Sequence, residues 1–388
     1  MGYLEFLAAG AAPAPAPAFP EGARRWSDEA SWDDGVPDAG ARVRIEAGRT
    51  VVLDQDVDVA SLEIEGTLLV EARDTRVRAG WILVHKGGRL AVGSPEQPFR
   101  DRLTITLCAR DGVVPHSDLG TKFLAALDGG TIDLHGQQRT SWVQLGSTVA
   151  PGHSNVRLAQ PVDWRAGERI AIVSGQDHAL VEERTIRDIG ADCMSLTLDQ
   201  AVAHRHHGQQ GALRVQPGSM AKALLLERNI VVEGCEDSAR ESVGGFCMIA
   251  GSTKQGEIAR RAIGRFSGIE FRRMGQFNRP GRYPLHWHNN GDAAESCVSG
   301  CLVQDSYQRG IVTVGSRHVR ISGNVVMKPY GHGYIVESED NSPQLVTTNL
   351  AVRPRVARFA DTAMRRYCEL RPRAFWIVRS AQERPAAH

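Results

Sequence analysis

The chain has no stretch approaching the roughly 20 consecutive apolar residues that a membrane-spanning helix needs, so it contains no such span. It also lacks a sizeable excess of charge of either sign, with 46 Lys and Arg against 45 Asp and Glu. A formal net charge of +1 gives no electrostatic argument for nucleic acid as a partner. There is no Cys-x-x-Cys pair among the seven scattered cysteines, and their odd number argues against a dense disulfide framework. Cys297 and Cys301 resemble a metal-ligand spacing, but no second pair follows. Cys235 with Cys247 is one conceivable disulfide across a loop, and the remaining thiols read as small buried apolar groups. The N-terminus has no basic start and carries Glu5, which makes it a poor secretory signal. Its Ala/Pro run reads as a disordered lead-in over residues 1–22.

What the chain does have is glycine, 40 residues of it, set against an aromatic content of only 6%. That balance suits an all-β protein with many tight corners. From Arg25 onward short strands are broken by turn residues. Val43-Arg44-Ile45, Leu62-Glu63-Ile64-Glu65 and Thr104-Ile105-Thr106-Leu107 alternate apolar and polar residues, as half-buried strands do. Trp81-Ile82-Leu83-Val84 reads as a buried strand, followed by a tight turn at Gly87-Gly88. These features predict a glycine-rich β module over residues 23–145 and a β-rich connecting region over 146–228. In the latter, His204, His206 and His207 read as an incidental polar cluster.

A repeat then begins. Val303 to Ile311 returns 23 residues later as Val326 to Tyr334, and a third turn starts near Leu350. A period in the low twenties, with short β runs and Gly or Asn at the corners, predicts stacked coils of a parallel β-helix over residues 229–352. At the head of this repeat stand His286 and His288. Residues two apart on a strand face the same way, so both imidazoles project together. Continuing the repeat stacks His286 with Val312 and Ile335, and His288 with Val314 and Glu337. His288 and Glu337 then lie two rungs apart, about 10 Å. The tail from residue 353 to 388 holds nine arginines against three acids. It reads as an atypical terminus and not as a completed coil.

The motifs together resemble a known family. Trp26-Ser27-Asp28, Val36-Pro37, the glycines at 35, 40, 48, 66, 80, 87, 88 and 93, Gly129 to Gly136, Arg139 to Trp142, Phe271 to Gln276 and Gly281 to His288 are similar to the eight-glycine-domain proteins. That family includes the cell migration-inducing and hyaluronan-binding protein. The resemblance runs from about residue 25 to 352. It implies a right-handed parallel β-helix in a secreted or cell-surface protein that binds or degrades an acidic polysaccharide such as hyaluronan, with calcium linked to activity. The matching positions are Arg273, His286, His288, Asp292, His332 and Glu337. Two positions depart from the family pattern, Val314 and Phe246, where histidine is the commoner residue.

Glycoside hydrolysis calls for two carboxyl groups; Asp292, Glu295, Asp305 and Glu337 lie near the histidine segment, and Asp292 and Glu337 are the chosen candidates, with His288 beside them. Elimination would instead use a base such as histidine next to a neutralised uronate. Arg273, Arg282 and Arg309 are candidate binders of a substrate carboxylate. His286, His288 and His332 are candidate ligands of a divalent metal, and imidazoles suit zinc or another transition ion better than calcium. The residues leave open a glycoside hydrolase, a lyase and a non-catalytic glycan-binding or adhesion module, and they do not fix the oligomeric state.

Overall fold

The computed structural model describes residues 19–109, 112–175, 180–209, 220–254, 257–338, 345–356 and 371–379. Three parallel sheets of nine, eight and nine strands run the length of the molecule. The chain visits them in a fixed order. One coil, for example, places Arg89–Val92 in the first sheet, Leu103–Leu107 in the second and Phe123–Leu127 in the third. All neighbours within these three sheets pair in parallel, as in Leu103↔Ile230 in the second sheet and Leu285↔Ile311 in the third. The fold is therefore an all-β, three-sided parallel solenoid. The glycine-rich section and the later repeat are consecutive parts of it, because the third sheet runs unbroken from Arg42–Ile45 to Phe375–Arg379.

Alternation along each strand builds the interior. Leu62 and Ile64, Ile82 and Val84, Leu124 and Ala126, Leu285 and Trp287 all belong to one buried core that extends through the solenoid. Burial of this continuous column is the main stabilising term. Asparagine completes it at a corner: Asn324 accepts from the Cys301 N–H at 2.8 Å and donates to Asn349 at 2.9 Å, so corner amides that no sheet pairs are still satisfied.

Among the described residues the chain leaves the three sheets in a short antiparallel hairpin, Ser252–Lys254 with Glu257–Arg260, and in one much larger insertion. Between Thr131–His135 and Ile230–Gly234 it forms a six-stranded antiparallel sheet from Trp142–Gln144 to Lys222–Leu225. This insertion has its own core around Ile170, Ile172, Leu196 and Leu225. Its Ala171, Val173, Leu224 and Leu226 pack on Leu302, Val325, Met327 and Val352, covering the outside of the last three strands of the second sheet. Within it Glu182 receives His206 at 2.9 Å and His204 at 3.2 Å, which gives that histidine cluster a structural role.

Three expectations need correction. The tail contributes a further strand, Phe375–Arg379, in register with Tyr334–Ser338, and Phe375 stacks on Tyr334 at 4.7 Å. The arginine density masked a five-residue β run. Cys247 lies in the solenoid core while Cys235 sits outside it at a corner, so the two do not face each other. Trp81 is half-buried on the outer surface, since its parity is opposite to that of Ile82 and Val84. Gly87 does take a positive φ of 83°, and the Gly88 N–H closes the turn on the His85 carbonyl.

Candidate functional site

The outer face of the third sheet carries the two histidines at the head of the repeat. Register alone dictates its layout. One outward row runs Arg44, Glu63, Leu83, Ala125, Met248, His286, Val312, Ile335 and Trp376. The row beside it includes Ala250 and Val314 on either side of His288. Chemistry-bearing residues thus sit at two places, separated by the apolar Ala125, Leu127, Met248 and Ala250.

The first place is the N-terminal end. His85 Nε2 lies 2.8 Å from Glu63 and 3.4 Å from Glu65. Among the described residues this is the only set of three His, Cys, Asp or Glu ligand atoms that lie within 4.8 Å of one another. Arg44 and Lys86 also reach Glu65, at 2.9 and 2.6 Å, and these hydrogen bonds hold its carboxyl down at about 2. Beside this cluster Trp81 stacks on Phe123 with centroids 5.5 Å apart, and His116 meets both rings edge-on. The Trp81 Nε1–H donates to the Val114 carbonyl at 2.9 Å, fixing the indole. A groove runs here, walled by Glu63, Trp81, His85, His116, Asp118 and Asp128.

The second place holds the two histidines that the repeat singles out. Both project outward from one strand, with ring centroids 5.0 Å apart. His286 is only 2% exposed, covered by Tyr283 at 4.9 Å, and its Nδ1–H donates to the Gly281 carbonyl at 2.8 Å. Burial, with the neighbouring His288 adding to it, pushes His286 down to about 3. Burial also lowers His288. Both rings are neutral near pH 7, and His286 Nε2 and His288 Nδ1 are buried without a hydrogen-bond partner.

The other sequence candidates scatter. Asp292 lies beyond a bulge that separates it from His288, and accepts from His318 Nδ1 at 2.8 Å. His332 accepts from the Arg373 N–H at 2.9 Å and stacks on Trp376 at 4.9 Å. The set His286, His288 and His332 does not converge on a common point within ligand reach. Glu337 follows Val336, which pairs with Thr313, so the strand that carries Val314 stands between it and His288. Arg273 is spent on Glu233 at 2.8 Å, at the end of the second sheet. Arg282 lies over the Phe246 ring at 5.4 Å, and Arg309 lies over Tyr283 while donating to its hydroxyl at 2.9 Å, so these two do border the third sheet.

Sequence reasoning missed Glu63, Glu65, His85 and the groove around them. A signal existed: Leu62 pairs with Ile82, so an offset of 20 residues sets Glu65 beside His85. Calcium does not fit this cluster. It prefers six to eight oxygens, whereas here one of three donors is an imidazole and Glu65 is already neutralised by two cations. Two carboxylates and a histidine form a donor set of the transition-metal type.

Comparison with known proteins agrees with this architecture. Residues 31–146 match the G8 domain and residues 242–383 match the CEMIP beta-helix. Fibrocystin-L of Mus musculus is 28% identical over 397 residues, covering 91% of this chain and 9% of that protein. A G8 domain-containing protein of Dictyostelium discoideum is 25% identical over 342 residues, covering 84% of this chain and 29% of its own length. The chain thus spans less than a third of the length of these relatives. Among solved structures, the tailspike protein gp49 from Pseudomonas phage LKA1 covers 77% of this chain and 41% of its own, at 8% identity and a TM-score of 0.22, a likeness too distant to argue from. The chain thus carries a match to the G8 domain followed by a match to the CEMIP beta-helix, in line with the resemblance of its sequence to the eight-glycine-domain proteins.

Proposed function

We propose that this chain is a polysaccharide-binding module of a secreted or cell-surface protein, and that its glycan lies along the outer face of the third sheet, centred on Trp81. The observation that carries the reading is the groove that sets one indole among Glu63, His85, His116, Asp118 and Asp128. An aromatic ring accepts the apolar face of a sugar, while carboxylates and imidazoles around it take the hydroxyl hydrogens. For a hyaluronan-like polymer, Arg282 and Arg309 are the residues suited to the uronate carboxylates, since both lie against aromatic rings at the border of the same sheet.

Binding without cleavage is favoured over depolymerisation. His286 is enclosed and neutral, so it does not reach a substrate proton. Asp292 is engaged by His318, and the apolar Val314 pairs with His288 on the side toward Glu337. The test is to incubate the protein with hyaluronan and with a neutral polysaccharide, with and without a chelator, and to measure binding beside chain length. Retention without shortening is expected. Shortened chains would overturn the non-catalytic reading, and unsaturated ends would identify elimination as the route. No retention of either polymer would remove the proposal altogether.

A further inference from the structure

The second sheet brings together two cysteines that lie far apart in the sequence. Its strands Leu103–Leu107 and Ile230–Gly234 pair in register up to Leu107↔Gly234, so the next residues, Cys108 and Cys235, leave neighbouring coils side by side. Leu103, Ile105 and Leu107 face the core, as do Ile230 and Val232. By alternation both cysteines turn outward, on the side where Thr106 donates to Glu233 at 3.2 Å. Neighbouring strands stand about 4.8 Å apart, inside the Cα separation of roughly 4.4–6.8 Å that a disulfide spans. Both residues are buried thiols. Burial and the adjacent Cys235 thiol raise Cys108, while Arg78, whose Nη2 lies 3.3 Å from Cys108 Sγ, pulls the other way and stabilises a thiolate.

We propose that Cys108 and Cys235 form an oxidative cross-link that staples the coil before the antiparallel insertion to the coil after it. With a low-molecular-weight disulfide as oxidant, the Cys108 thiolate attacks one of its sulfurs and expels a thiolate. The Cys235 thiolate then attacks Cys108 Sγ and expels the second. The two protein thiols lose two electrons and two protons, and the oxidant's S–S bond becomes two thiols. The closed loop contains the whole insertion. It also fixes the root of the groove wall: the segment leaving Cys108 carries His116 and Leu119 over Trp81 and Phe123, and the segment leaving Cys235 brings the Val243 carbonyl within 3.0 Å of Lys122 Nζ.

The test is peptide mapping of the full chain after exposure to oxidised glutathione, with free thiols alkylated under denaturing conditions. The expected result is one peptide pair joining residues 108 and 235, lost on reduction, together with a fall of two in the thiol count and a rise in Tm of about 5 °C. Cys108→Ser and Cys235→Ser should each abolish the cross-link and the Tm rise. Alkylation of both cysteines after oxidation, mixed disulfides to glutathione alone, or a Cys235–Cys247 linkage would each overturn the proposal. Because mapping the unsubstituted chain is sufficient, a variant that fails to fold does not shelter it. None of these readouts depends on glycan binding.

Discussion

The two polar ends of the third sheet's outer face use the same backbone arrangement and reach opposite outcomes. At the N-terminal end His85 stands beside two carboxylates and an indole that borders a groove. At the other end, about 15 Å further along the stack, His286 occupies the outward middle row yet is sealed beneath Tyr283 and bonded to Gly281. Strand parity decides only which way a side chain points. Whether it reaches solvent depends on the corner segments that fold over it, and here residues 275–283 cover one end while residues 112–122 wall the other without closing it.

The largest expected contrast is in stability. Trp287 is fully buried between the two histidines in sequence and packs on Phe266 at 5.9 Å. Trp287→Ala should cost about 3–5 kcal/mol in denaturant melts. A loss under about 1 kcal/mol would mean that the covered end is not a packed core.

Acid should separate the ends next. His286 titrates near 6.5 when unfolded and is pushed down to about 3 in the fold, so below pH 6.5 the unfolded chain takes up a proton that the folded chain refuses. Stability from this end is complete above pH 6.5 and falls as the pH drops toward about 3, by a few kcal/mol in all. Glu65, lowered from 4.5 to about 2, contributes stability above pH 4.5 that is lost on descent through about 2. His286→Gln should flatten the stability profile between pH 6.5 and 4.5 and leave the Glu65 limb in place. An unchanged slope in that window would show that His286 is not enclosed.

Trp81→Ala should be milder than the core substitution, about 1–2 kcal/mol, because that indole is only half-buried. A cost equal to that of Trp287→Ala would erase the distinction between open and covered ends. Smallest of all, Asp292→Asn removes a half-exposed contact with His318 and should change stability by less than about 1 kcal/mol. A larger loss in the same melts would give that pair a weight its exposure does not support.

Much of this contrast is legible in the sequence. The spacings of 26 and 23 residues place His286 over Val312 and Val312 over Ile335, and the strand pairing agrees. Glu65 beside His85 is equally readable from an offset of 20 residues, but glycine spacing draws attention to the turns there and away from the rows between them. What periodicity does not reveal is coverage. Nothing in Gly281 to Pro284 says that its backbone will bond His286, because that depends on how an irregular corner closes over the next strand. The strand Phe375–Arg379 is hidden differently: arginine density suggests a solvated tail, yet Phe375 stacking on Tyr334 supplies the burial that pins it.

The most direct measurement is hyaluronan and neutral-glycan affinity for two double variants, each first shown to be folded by circular dichroism. Trp81→Ala with Glu63→Gln should weaken binding by tenfold or more, on the order of 1.4 kcal/mol. His286→Gln with His288→Gln should leave it within about twofold. Loss of binding in the histidine variant, with binding retained when Trp81 and Glu63 are replaced, would contradict the account and move the site to the covered end.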